Sequence, residues 1–210
     1  EAAAAAGATE ILVKDAHWTG RNLLAERLPR PAQLLRGWSG HPYSMVQGLD
    51  RSFDAAMFIG WHSGGSRGGN PLAHTLSSSG LMGIRVNGEW VSEFRLHAWA
   101  AALEGVPVAC VSGDEALCDE VRAFDETIVT TPVARGFGAA TLARHPADAR
   151  DAIRDGVRRA LHRPLRTRAA VLRLRGKRTQ VVELGTRTLL PGLVDSHGHF
   201  TVVAALIDQA

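Results

Sequence analysis

The chain predicts an α/β fold: a mixed or mostly parallel sheet flanked by helices, with a short extended C-terminal segment after it. Three observations carry this expectation. Strand-like and helix-like stretches alternate along most of the sequence, the pattern of strands joined by crossover helices. Asn87-Gly88 separates two short apolar runs, a strong signal for a tight hairpin turn. The 210 residues are 45% hydrophobic, enough for one good core or two small ones.

Taken in order, residues 1–6 read as the end of a helix that Gly7 stops, because glycine alone enters the left-handed region at little steric cost. Strands are expected over residues 10–13, 55–61, 83–86, 89–91, 107–111 and 127–130, where apolar and β-branched residues gather between turn residues. Helices are expected over residues 93–103, 114–123 and 147–162. In the first, Ser92 suits the N-cap, Leu96, Trp99, Ala100 and Leu103 mark one face, and Gly105 ends the helix. In the last, Ile153, Val157, Ala160 and Leu161 form the apolar stripe. No internal repeat interrupts this order.

Charge is unevenly spread. The formal net charge is +3, yet residues 144–187 carry a local balance of +9 and the rest of the chain −6. A basic stretch raises the question of nucleic acid. Here the arginines fall on one expected helix and the strand after it, without interleaved aromatics, so a solvated face or a subunit contact is expected and no nucleic-acid partner. Cys110 and Cys118 are the only cysteines; one falls in a strand pattern and one in a helix pattern, which fits two buried thiols in a reducing cytoplasm. No apolar run reaches the length of a membrane span. The chain opens on Glu1 rather than Met, so Glu1 is not expected to be the first residue of the gene.

The chemistry concentrates in "FIGWHSGGSRGGNPLAHT", residues 58–75. An apolar strand runs into His62, a glycine-rich loop comes next, and His74 lies just beyond it. A second strand runs into Asp15-Ala16-His17. His17 and His62 thus both occupy the carboxyl end of an expected strand, the edge where ligands bind in open α/β sheets. Glu93 opens a helix and is a third element-end residue. Imidazoles and a carboxylate converging at element ends suit a divalent metal, zinc above all. Glycines at 64, 65, 68 and 69 remove side chains beside His62 and are expected to leave room for substrate; Gly64, Gly65 and Asn70 are the substrate-loop candidates. The loop lacks the terminal Gly-Lys-Ser/Thr of a phosphate loop. His41, His97, His145 and His162 have no strand-end context and are read as surface or structural residues.

The segments "VKDAHWTGRNL", "SMVQGLDRSFDAAMFIGWHS", "PLAHTLSSSGLMGIRVNGEWVSE" and "GVPVACVSGDE" resemble, in order and spacing, the D-aminopeptidase family of binuclear-zinc metallopeptidases, over residues 1–175. The resemblance implies an α/β fold, two zinc ions (Zn2+) per active site, a homo-oligomeric ring, and removal of D-amino acids from the amino end of a short peptide substrate. It implies that His17, His62 and Glu93 are zinc ligands and that His74 is the catalytic histidine. The mechanism implied is attack by metal-bound hydroxide on the peptide carbonyl, with His74 moving the proton.

Two departures accompany the match. The family's first strand carries an Asp-x-Glu-Gly motif with a bridging carboxylate; that strand would precede Glu1, so the chain as given is expected to be inactive alone. The second departure is "GTRTLLPGLVDSHGHF", residues 185–200, which resembles the start of an amidohydrolase-superfamily protein. His197 and His199 flank Gly198 and point to one side of a strand, a second metal motif at the head of what in that superfamily is a barrel of about 250 residues. The expected organisation is therefore a peptidase-like domain over residues 1–175 and an amidohydrolase-like segment over residues 176–210. The alternatives are a non-catalytic assembly remnant and a fragment of a metal-dependent amidohydrolase.

Overall fold

The computed structural model describes residues 1–65 and 68–165, and the backbone of residues 181–183. His197 and His199 lie outside the described residues, as does nearly all of the 176–210 segment. Among the described residues no helix is long and apolar enough to cross a membrane.

The fold is mixed α/β, as the sequence predicts. Its centre is a sheet of β3 (Ala56–Trp61), β6 (Val108–Asp114), β7 (Val129–Phe137) and β8 (Ala140–Ala143) in that order. The first three are parallel and β8 returns antiparallel to β7. The central strand β6 is buried along almost its whole length, which is why it reads as an uninterrupted apolar run. On one face, Phe58 and Val111 pack with α2 (Glu93–Leu103) and α3 (Glu115–Phe124) through Phe94, Leu117 and Val121. On the other, Cys110 and Val129 pack against Val157 and Ala160 of α4 (Pro146–Leu161), where α1 (Ala2–Ala5) also lies. Gly156 brings α4 close, since a Cβ there would stand 2.4 Å from the Thr131 hydroxyl.

Two smaller sheets flank this core. β4 (Gly83–Val86) pairs with β5 (Glu89–Val91) through the Asn87-Gly88 turn, and β9 (Val181–Glu183) joins on the far side of β4. Asn87 and Gly88 both take positive φ, 54° and 83°, as a turn matching the strand twist requires. β1 (Leu12–Lys14) pairs only with β2 (Gln33–Leu35), in parallel.

Several local expectations need correcting. The buried face of α2 is Phe94, His97, Ala98, Ala101 and Ala102, not the face of Leu96, Trp99, Ala100 and Leu103; Leu103 is 59% exposed. The helix is alanine-rich, so small residues occur on every side and periodicity does not select one. Phe94 selects it, meeting the rings of Phe58 and Phe124 edge-on; burial of such a ring contributes about 1.5–3 kcal/mol. β7 runs on to Phe137 and β8 comes after it. Pro132 and Gly136 mask that extension because both weaken a strand reading. The arginines of α4 face solvent, with Arg154 and Arg158 pairing Asp151 and Asp155 one helical turn back.

Candidate metal centre

β3 ends in a bend that aims His62. Phe58 pairs with Val111, but the next partner pair is Trp61 and Gly113, so β3 carries an extra residue. Gly60 takes φ +77° and donates its N–H to the Ser112 hydroxyl at 3.0 Å. A bulge of this kind re-aims the side chains beyond it. Gly113 permits the close approach, because a Cβ there would fall 2.2 Å from the Trp61 carbonyl.

The glycine loop folds back onto the chain. Gly64 and Gly65 are buried; a Cβ on Gly64 would meet Ser92 at 2.9 Å and one on Gly65 the Met82 carbonyl at 2.6 Å. The space their missing side chains leave is thus filled by this protein's own backbone, which corrects the expectation of open room there. Gly65 N–H donates to the Thr75 hydroxyl, which donates to the Val91 carbonyl, both at 3.1 Å. Asn70 is likewise engaged internally. Its Nδ2 donates to Asp114 Oδ2 at 3.2 Å and its Oδ1 accepts from Leu72 N–H at 2.9 Å.

Glu93 sits at the start of α2. Ser92 caps the helix by accepting from Arg95 N–H, and Ser92 Oγ donates to Glu120 Oε1 at 3.0 Å. Glu120 also stands 3.0 Å from Arg95 Nε. This buried ion pair ties α3 to the first turn of α2 and fixes where the Glu93 carboxylate emerges. Glu93 is 5% exposed. Its Oε1 accepts from Leu76 N–H at 2.9 Å. Leu76 adopts φ +62°, a left-handed conformation that costs a non-glycine residue about 1–3 kcal/mol and gathers at functional sites.

Loop and helix converge here. The rings of His62 and His74 stack at 4.2 Å. His62 Nε2 lies 3.8 Å from Glu93 Oε2, and His74 Nε2 lies 3.8 Å from Glu93 Oε1. Each imidazole has its other nitrogen on a carbonyl: His62 Nδ1 on Ser63 at 3.0 Å, and His74 Nδ1 on Leu72 at 2.7 Å. A carbonyl only accepts, so this arrangement assigns a proton to Nδ1 of each ring; in the neutral imidazole the lone pair is then on Nε2, facing Glu93, as metal-ligating histidines require. Among the described residues these three side chains form the one group of potential metal donors, each offering an atom within 4.8 Å of the others. A tetrahedral ion with bonds of about 2.0–2.2 Å spaces its donors roughly 3.3–3.6 Å apart, so the set fits zinc with a small closure.

His17 stands outside that group. It is exposed, at the end of β1, and β1 belongs to its own two-stranded sheet. Asp15 gathers the loop after β1. Its Oδ2 accepts from Asn22 N–H at 2.5 Å and Leu23 N–H at 2.7 Å. The structure therefore brings His62, His74 and Glu93 together and leaves His17 apart. Asp114, read from sequence only as the start of a helix, lies just behind the site: buried, it accepts from Ser63 N–H, Asn70 Nδ2 and Leu117 N–H. The signal that could have found it is its place at the carboxyl end of the strand next to that of His62.

An α/β sheet that, with its loops and the start of a helix, gathers two imidazoles and a carboxylate at one strand end defines a class of site able to hold a divalent metal. Known proteins narrow the class. Residues 1–189 match the peptidase family M55, described as D-aminopeptidase, and the chain belongs to this family of peptidases. It is 36% identical over 130 residues to a D-aminopeptidase of Bacillus subtilis (strain 168), an alignment covering 60% of this chain and 45% of that protein. The fold matches the solved Zn-dependent D-aminopeptidase DppA from Bacillus subtilis, described as a self-compartmentalizing protease, with a TM-score of 0.71 and 32% identity. That match covers 76% of this chain and 58% of the solved one, so the chain spans about half the length of these relatives.

Proposed function

We propose that this protein hydrolyses the N-terminal peptide bond of short peptides containing D-amino acids, with zinc as its metal. The observation that carries the reading is the convergence of His62, His74 and Glu93, in a chain of the D-aminopeptidase family. His62 and Glu93 would hold the ion through the Nε2 and carboxylate that face each other. His74 serves as the catalytic histidine, its Nε2 taking and returning the proton that hydrolysis moves to the leaving amine. Leu76 N–H holds the other oxygen of Glu93 and stops the carboxylate from rotating away. Zinc, when bound, supplies Lewis acidity that activates water near neutral pH and polarises the scissile carbonyl. The family resemblance implies two ions per site; the second draws on donors beyond this cluster, and His17 is its candidate ligand. The same resemblance supports a homo-oligomeric ring, and the two free buried thiols suit a cytoplasmic setting.

The test uses the chain completed at its amino end with the family's Asp-x-Glu-Gly strand and reconstituted with zinc, because the chain as given is expected to be inactive alone. Release of free amino acid from D-Ala-D-Ala but not from L-Ala-L-Ala, lost on chelation and in Glu93→Gln, supports the reading. Equal turnover of both dipeptides overturns the D-specificity. Zinc bound in good stoichiometry without turnover of either favours the alternative of a non-catalytic assembly domain.

A further inference from the structure

Behind the metal centre lies a buried carboxylate that the hydrolytic reading does not use. Asp114 is 2% exposed, and among the described residues no cation pairs with it. Its charge is instead held by N–H donors and by the amino end of α3, an arrangement that stabilises a buried anion. Oδ1 accepts from Leu117 N–H at 2.8 Å and caps that helix. Oδ2 does something else. It accepts from Ser63 N–H at 2.7 Å and from Asn70 Nδ2 at 3.2 Å, so one oxygen grips the two ends of the glycine loop.

Each grip leads to an imidazole. Ser63, held through its N–H, presents its carbonyl to His62 Nδ1 at 3.0 Å. Asn70, held through Nδ2, accepts Leu72 N–H on its Oδ1 at 2.9 Å, and the Leu72 carbonyl takes His74 Nδ1 at 2.7 Å. Two hydrogen-bonded paths of different length thus start at one carboxylate oxygen and end at the Nδ1 protons of both site histidines. We propose that Asp114 is a positioning residue that locks His62 and His74 together in the Nδ1–H tautomer, with both Nε2 lone pairs turned to Glu93. The inference rests on the reading of these residues as the metal centre, but its geometry stands in the protein without metal.

The chemistry of the substitution makes the role separable from helix capping. In Asp114→Asn the remaining oxygen can still cap Leu117. Its amide nitrogen then faces the Ser63 and Asn70 donors, and donor meets donor. Asn70→Ala cuts only the path to His74. The experiment is long-range nitrogen–proton NMR of the imidazoles in the zinc-free full chain, with signals assigned by His62→Gln and His74→Gln. Zinc affinity is then measured by chelator competition.

In the wild type both histidines should show protonated Nδ1 and bare Nε2. Asp114→Asn should convert both to mixed tautomers and weaken zinc about 10–100-fold, the usual effect of losing an outer-shell partner. Asn70→Ala should convert His74 alone. If His74 keeps its tautomer in Asn70→Ala, or if Asp114→Asn folds with both tautomers intact, the inference is overturned. Should Asp114→Asn fail to fold, the Asn70→Ala result decides. Expected tautomers in a chain that takes up no zinc would sustain this inference and overturn the zinc reading instead.

Discussion

His62 and His17 each come after a strand, yet one is built into a site and the other is left on the surface. β3, which delivers His62, lies beside β6 in the four-stranded sheet. Its end is bent at Gly60, covered by the start of α2 and gripped by Asp114. β1, which delivers His17, has only β2 beside it. The loop after it turns on the Asp15 carboxylate, and Trp18, next to His17, is 74% exposed. A strand's carboxyl end offers a place for chemistry. What covers that end, and which backbone groups fix the imidazole, decides whether the place is used.

The largest effects should come from breaking the built side. His62→Ala should abolish stoichiometric zinc binding, read by metal analysis after dialysis. His17→Ala should cost less zinc, because its ring is exposed and among the described residues no second element holds it. In the chain completed with the acidic first strand, His74→Ala should keep zinc near the wild-type level and lower turnover of a D-Ala dipeptide by about 10²–10⁴-fold, the usual contribution of a positioned proton carrier. If His74→Ala instead loses zinc as completely as His62→Ala, the symmetric 3.8 Å placement of the two rings about Glu93 means that both are ligands.

A smaller effect would sharpen the comparison through backbone packing alone. Gly64→Ala sets a methyl against Ser92, 2.9 Å away, and should lower stability by about 1–3 kcal/mol, as overpacking does. It should also weaken zinc, since Ser92 caps the helix that starts with Glu93. Gly40→Ala is the control. Its Cβ meets nothing within 4 Å, so it bears only the strain of φ +77° and should leave zinc unchanged. Denaturant melts with and without zinc distinguish the two.

The contrast also explains how far the sequence could be read. The ends of β3, β4 and β5, the hairpin at Asn87-Gly88, the Ser92 cap, and His62 and Glu93 as element-end donors were legible, because each depends on local periodicity or on a short motif. β6 and β7 run past their expected ends, and His74 was marked only by the family resemblance. Where the donors meet was not legible. Equal strand-end logic applies to His17 and His62, and only the pairing of β1 with β2, a contact between segments without strong alternation, separates them. Gly64 and Gly65 read as open space; their true use is close contact with Ser92 and Met82, which no single segment reveals. The role of Asp114 was hidden for the same reason: its strand-end place could be read, but the Ser63 and Asn70 donors are 51 and 44 positions away in the chain. The tautomer-setting network is long-range, and periodicity carries no information about it.

The smallest effect lies in the core behind both regions. Burial raises the Cys110 thiol to about 11, against a modest opposing pull from the Arg159 charge. Burial likewise raises Cys118 to about 11. Both thiols are therefore protonated at neutral pH and shielded, and thiol reactivity tracks the thiolate. Native protein should resist iodoacetamide at pH 8, and both cysteines should label at once in denaturant. The linkage has a definite sign. A group whose folded pKa is raised binds its proton more tightly in the native state. Its stabilising contribution is complete below the ordinary thiol value of 9.0 and is lost as pH climbs toward 11. Denaturation midpoints should thus fall between pH 9 and 11, and Cys110→Ala with Cys118→Ala should flatten that part of the profile. Rapid native labelling at either position would show that the sheet-to-helix packing around β6 opens far more readily than its complete burial implies. The rigid support attributed to the His62 side would then be in question.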